Sequence, residues 1–147
     1  MAALTQSRTV KSIPGILFAY PVLANAVIHR GAVVVIGSNG YAKPGVTGLD
    51  LVAVGIARHS VDNTGGANGA VLVEVEEMIA GVFSAGGGDL ITFDDIGKPA
   101  YLVDDQTVGL TDGTDTRSLA GIIRKVEGSL VYVEFTNKTA ALAAALA

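Results

Sequence analysis

Gly88-Asp89-Leu90-Ile91-Thr92-Phe93, Ile96-Gly97-Lys98-Pro99-Ala100-Tyr101-Leu102-Val103, Ser118-Leu119-Ala120-Gly121-Ile122-Ile123-Arg124 and Ser129-Leu130-Val131-Tyr132-Val133-Glu134-Phe135 follow one another near the C-terminal end of the chain. Each apolar run is short, rich in β-branched or aromatic side chains, and fenced by Gly, Asp, Asn or Pro, the pattern of brief strands joined by turns. None is long enough for a helix to win. The runs predict an all-β fold.

The same punctuation occurs earlier, as a diverged copy. Gly31-Ala32-Val33-Val34-Val35-Ile36 answers Gly88 to Phe93, and Asn39-Gly40 answers Ile96-Gly97. Val54-Gly55-Ile56-Ala57-Arg58 answers Ala120 to Arg124, and Val71-Leu72-Val73-Glu74-Val75 answers Val131 to Phe135. Slack between the copies falls in loops, where insertions cost least. Two copies are too few for a solenoid or a propeller. The expectation is a compact β-sandwich or small β-barrel of short antiparallel strands, with an extended N-terminal arm and a short Ala-rich C-terminal tail. Residues 1–28 form the arm and an apolar lead-in, 29–136 one β domain with similar halves at 31–77 and 88–135, and 137–147 the tail.

The chain has 147 residues and no Cys. A domain of this size buries roughly 70% of its unfolded surface and needs no covalent staple, and the missing cysteines agree with assembly in a reducing cytoplasm. Half the residues are apolar and 16% are charged, more apolar than an ordinary lone domain. Either a subunit interface hides the excess, as obligate contacts do, or many Gly and Ala inflate the count. A net charge of −4 with no Trp gives neither a basic stripe nor an aromatic platform, so nucleic acid is not an expected partner.

The first dozen residues are polar and mildly basic and read as an arm that a partner orders. Its partner-contacting residues are taken to be Arg8, Lys11, Ile13 and Pro14. Ile13 to Ile28 superficially matches a secretory signal, but Pro14, Gly15 and Pro21 interrupt it and its charges lie well inside the chain. It also falls short of the ~20 residues a membrane helix needs. An extended segment packed on the core or on a neighbour is the better reading. Further strands are expected at Ala32 to Ile36, Leu51 to Arg58, Ala70 to Glu76 and Met78 to Ser84, with loops at Ser38 to Gly48 and Asp62 to Gly69. Val71, Val73 and Val75 should face inward and Leu72, Glu74 and Glu76 outward.

Catalytic signatures are hard to find. His29 adjoins Arg30 and His59 adjoins Arg58, and cationic neighbours disfavour the protonated imidazole. Adjacent aspartates such as Asp94-Asp95 and Asp104-Asp105 point to opposite faces when extended, so neither doublet makes a catalytic pair. Asp112-Gly113-Thr114-Asp115 departs from the helix-flanked calcium loop, and turn formation is its default role. Gly86-Gly87-Gly88 lacks the Lys-Ser or Lys-Thr and the helix of a phosphate loop. No enzyme, cofactor or metal is expected.

Gly55-Ile56-Ala57, Gly69-Ala70-Val71-Leu72-Val73, Gly81-Val82-Phe83, Gly97-Lys98-Pro99-Ala100-Tyr101-Leu102, Asp105-Gln106-Thr107-Val108, Ala120-Gly121-Ile122-Ile123 and Val131 to Phe135 occur in that order. The series resembles the small capsid decoration, or structural cement, proteins of tailed bacteriophages, over roughly Gly31 to Phe135. The long apolar lead-in and the Ala-rich tail depart from the usual pattern. The resemblance implies a β-rich homotrimer on the outer surface of the virion, made in the host bacterial cytoplasm. Its partner would be the major capsid protein, with no membrane involved and no catalysis. The alternatives are a receptor- or carbohydrate-binding β module of a phage particle and an oligomeric enzyme with a dispersed site built around residues such as Arg58 and His59.

Overall fold

The computed structural model describes Gln6 and residues 17–135. The arm residues Arg8, Lys11, Ile13 and Pro14, and the tail at 137–147, lie outside the described residues. The described chain is all-β, with strands β1 (Leu17–Pro21), β2 (Val27–Ile28), β3 (Val33–Ile36), β4 (Ala42–Pro44), β5 (Val52–Ala57), β6 (Val61–Asp62), β7 (Leu72–Glu76), β8 (Met78–Ser84), β9 (Pro99–Leu102), β10 (Thr107–Gly109), β11 (Leu119–Glu127) and β12 (Leu130–Phe135). The pairing changes partners across Glu77. Five of the strands before it form a sheet in the order β1-β7-β5-β3-β4, β2 and β6 pair with each other, and the strands after it close into a barrel in the order β10-β8-β12-β11-β9.

Both units are wired alike. In the first, β1 and β5 flank β7, β3 and β7 flank β5, and a parallel bridge from Val22 to Ala42 brings the chain leaving β1 back to β4. In the second, β8 and β11 flank β12, β9 and β12 flank β11, and β8 meets β10 in parallel at Ser84 and Val108. The likeness reaches single residues. Val54 is an unmatched bulge between Ala53 and Gly55 where β5 pairs with β3, and Ala120 is the unmatched residue between Leu119 and Gly121 where β11 pairs with β9. Ile56 then opposes Glu76 as Ile122 opposes Glu134. Arg58 pairs with Glu76 at 3.0 Å, and Arg124 pairs with Glu134.

The glycine after each bulge is required by a close approach. A Cβ on Gly55, whose φ is +144°, would lie 2.5 Å from the Glu76 carbonyl oxygen, and one on Gly121 would collide with the carbonyl oxygen of Glu134. Without that side chain the neighbouring strand rides close over the bulge, which sharpens local twist and bend. A sheet of so few strands needs such bends to curl onto itself.

The register corrects three of the expected correspondences. Gly88 to Phe93 is no strand: the stretch holds 3-10 turns at Gly87–Asp89 and Phe93–Asp95, because Ser and Asp side chains capture its backbone N–H groups before a ladder can. The counterpart of Val33–Ile36 is instead Pro99–Leu102. Gly31, rather than Gly40, matches Gly97: each donates to the inner strand, Gly31 to Ala57 and Gly97 to Ile123. The β7 and β12 copies also align two residues away from the expected register, since Glu76 and not Glu74 stands where Glu134 does. A two-residue slip keeps every side chain on its face, so alternation alone is blind to it. β4, β2 and β6 lie in stretches expected to be loop or lead-in.

Val73 and Val75 are buried while Leu72 and Glu74 are exposed, as alternation requires. Val22, Ile28, Val34, Val54, Val73 and Val75 pack together in one cluster of the first unit. The opposite face of β3 and β5 is covered as well. Val33, Val35, Ala53 and Ile56 join a second cluster with the barrel residues Val82, Leu102, Ile123, Val133 and Phe135. β3 and β5 are therefore buried on both faces, and each fully buried aliphatic side chain contributes about 1.5–3 kcal/mol. Replacing Gly121 by Ala should cost about 1–3 kcal/mol through overpacking against the Glu134 carbonyl. Chemical denaturation checks this, and Ala at the open Gly86 should be near neutral.

Candidate interaction surface

The chain between β8 and β9 turns three large apolar groups to solvent. Phe93 is 72% exposed, and Leu90 and Ile96 are about half exposed. Between them, Ile91 turns inward and is buried in the barrel core. One inward side chain thus anchors a loop that displays three outward ones.

Polar bonds hold that display in place. The Ile91 N–H donates to Ser84 Oγ at 3.0 Å. The Thr92 N–H donates to Asp95 Oδ2 at 2.9 Å, and Lys98 Nζ reaches the other oxygen of the same buried carboxylate at 3.0 Å. Asp89 accepts from the Thr111 N–H and hydroxyl and pairs with Arg117 at 3.2 Å, tying the loop to the segment after β10. The backbone carbonyl of Asp89 also accepts from the Leu110 N–H. Such a loop loses little freedom when a partner covers it, which lowers the entropic cost of binding.

These bonds set the two carboxyl groups. The Thr92 N–H, followed by the Lys98 ammonium, holds Asp95 below the ordinary carboxylate range. The Thr111 hydroxyl and then Arg117 do the same for Asp89. Depressed folded-state values mean that the stabilisation is complete above the unfolded value near 4 and is lost as pH falls through the folded values.

The residues singled out for catalysis are not assembled into one site. His59 Nε2 accepts the Glu74 N–H at 3.1 Å, a structural role. Arg58 turns to Glu76, and the shallow depression beside it is lined by Arg30, Gly31, Ile56 and Met78 without His59. His29 borders a separate hollow with Asp105 and Gln106. Asp104 accepts the Gln106 N–H within its own turn, and the Asp105 carbonyl accepts the Val33 N–H. Among the described residues, no group of three His, Asp or Glu is placed to hold a metal ion, and no helix is long and apolar enough to cross a membrane.

Leu90, Phe93 and Ile96 were expected to be strand residues. The signal against that was Thr92-x-x-Asp95, a pair that closes a turn on itself, following a run of glycines. No family model, no curated protein and no solved structure matches this chain.

Asp95→Asn should lower the melting temperature at neutral pH and flatten its fall between about pH 4 and pH 2. Thermal melts across that range check this: an unchanged acid profile would separate Asp95 from loop stability.

Proposed function

We propose that this protein is a non-enzymatic structural subunit that decorates an assembled icosahedral phage capsid, binding the outer surface of the coat lattice and cementing it. The observation that carries the reading is the pinned loop with Leu90, Phe93 and Ile96 facing solvent on a stiff β scaffold. Preorganised apolar groups of this kind serve adhesion to another protein surface, where a buried aromatic anchor commonly carries much of the affinity. The major capsid protein is the proposed partner, the homotrimer the proposed assembly, and the virion exterior the proposed location. The arm, through Arg8, Lys11, Ile13 and Pro14, is the proposed second contact.

The thermodynamics of such a role need no chemistry. A protein that binds only the assembled shell stabilises it by mass action, and a multimer touching several coat subunits turns later contacts into intramolecular ones. The sequence likeness to decoration proteins supports the phage setting, and the pinned loop supports adhesion.

Mixing the purified protein with undecorated capsids tests the proposal. It should co-sediment with them and raise their melting temperature. Phe93→Ser, at an exposed position, should leave the protein's own melting unchanged and weaken capsid binding about tenfold or more. Absence of both co-sedimentation and capsid stabilisation would refute the reading.

A further inference from the structure

The repeat leaves two surfaces unmatched. Inside the chain, the outer face of β3 and β5, made by Val33, Val35, Ala53 and Ile56, packs with the mouth of the barrel where Met78 pairs with Phe135. Ala80 packs against the same cluster, and Ser118 Oγ bridges to the first unit by donating to the Gly48 carbonyl and accepting from the Leu51 N–H. Each unit therefore has a face and a mouth, and the chain joins one of each.

The remaining face belongs to the barrel, and the remaining mouth to the first sheet. Register places Pro99, Tyr101, Leu119 and Ile122 on β9 and β11 at the positions of Val33, Val35, Ala53 and Ile56. The first set is partly or fully exposed, whereas the second is buried. At the other end, Phe18 on β1 stands where Ala80 stands on β8, since Phe18 opposes Val75 as Ala80 opposes Val133. Val52 on β5 likewise occupies the place of Ser118 before β11. Phe18 is 42% exposed and Val52 is 40% exposed.

We infer that the protein self-associates head to tail, the β9/β11 face of one copy seating on the Phe18/Val52 mouth of the next. The intramolecular contact is the template, because the same pair of backbone surfaces already mates once in every chain. The occupant of each surface is a second copy of this chain. The contact between copies is weaker than its template: Pro99 has no N–H where Val33 donates to the Asp105 carbonyl. Such an interface is heterologous, so it cannot be satisfied in a two-fold dimer and closes only as a ring of more copies. This deepens the homotrimer proposed above by naming its contact surfaces, and fails separately from capsid binding, since self-association is measured with no capsid present.

Light scattering at micromolar concentration should return a species larger than a dimer. Tyr101→Glu on the face and Phe18→Glu at the mouth should each weaken self-association about 30-fold or more and give monomers. Mixed together, the two variants keep one intact face and one intact mouth between them, and should form a one-to-one dimer that grows no further. Leu119→Lys and Val52→Lys replace either variant that circular dichroism shows to be unfolded. A monomeric parent protein, a two-fold dimer, or folded variants that keep the parent's assembly or fail to pair when mixed would each overturn the inference.

Discussion

A sheet of five short strands can close only if it bends hard, and here the bends are made by a bulge followed by a glycine. Val54 and Ala120 are the extra residues, and Gly55 and Gly121 leave room for the carbonyls of Glu76 and Glu134. The constraint is steric before it is energetic. Removing one Cβ at each place lets β7 and β12 cross close over their neighbours, and the ion pairs Arg58–Glu76 and Arg124–Glu134 follow from the same geometry. The curvature then decides which side chains meet inside, and so where the core lies.

Because the bend is used twice, the chain makes two units of one plan and presses them together through β3 and β5. Burial on both faces explains why these strands are continuous runs of Val, Ala and Ile, where β7 alternates. It also makes the first unit a structural support for the second. The barrel in turn anchors the loop at 88–96 through Ile91, so the outward set of Leu90, Phe93 and Ile96 is held by the packed interior beneath it. Adhesion by a stiff surface, proposed for this protein, draws on that chain of supports.

Much of this was legible in the residues. Short β-branched runs between glycines gave the all-β class, and the shared Gly-Ile-x-Arg of positions 55–58 and 121–124 marked the two inner strands. The places where the reading failed share a cause. At Gly88 to Phe93 the apolar composition of a strand was overruled by Ser84, Asp89 and Asp95, whose bonds to backbone and to Thr111 are invisible until the loop is folded. β4 escaped notice because it is three residues ending in Pro44, set among the Ser, Asn, Gly and Pro of a turn-forming stretch, although its partner is the neighbouring strand β3. The exposed loop was hidden by the same error, since a strand assignment alternates Leu90, Ile91 and Phe93 between faces without saying which face meets solvent.

Amide hydrogen exchange over the loop tests most directly whether its apolar display is prearranged. The Ile91 and Thr92 amides, bonded to Ser84 and Asp95, should exchange slowly in the free protein, protected alongside the β11 and β12 ladder. Exchange at those two amides as fast as in an unstructured peptide, while the ladder stays protected, would contradict a prearranged display.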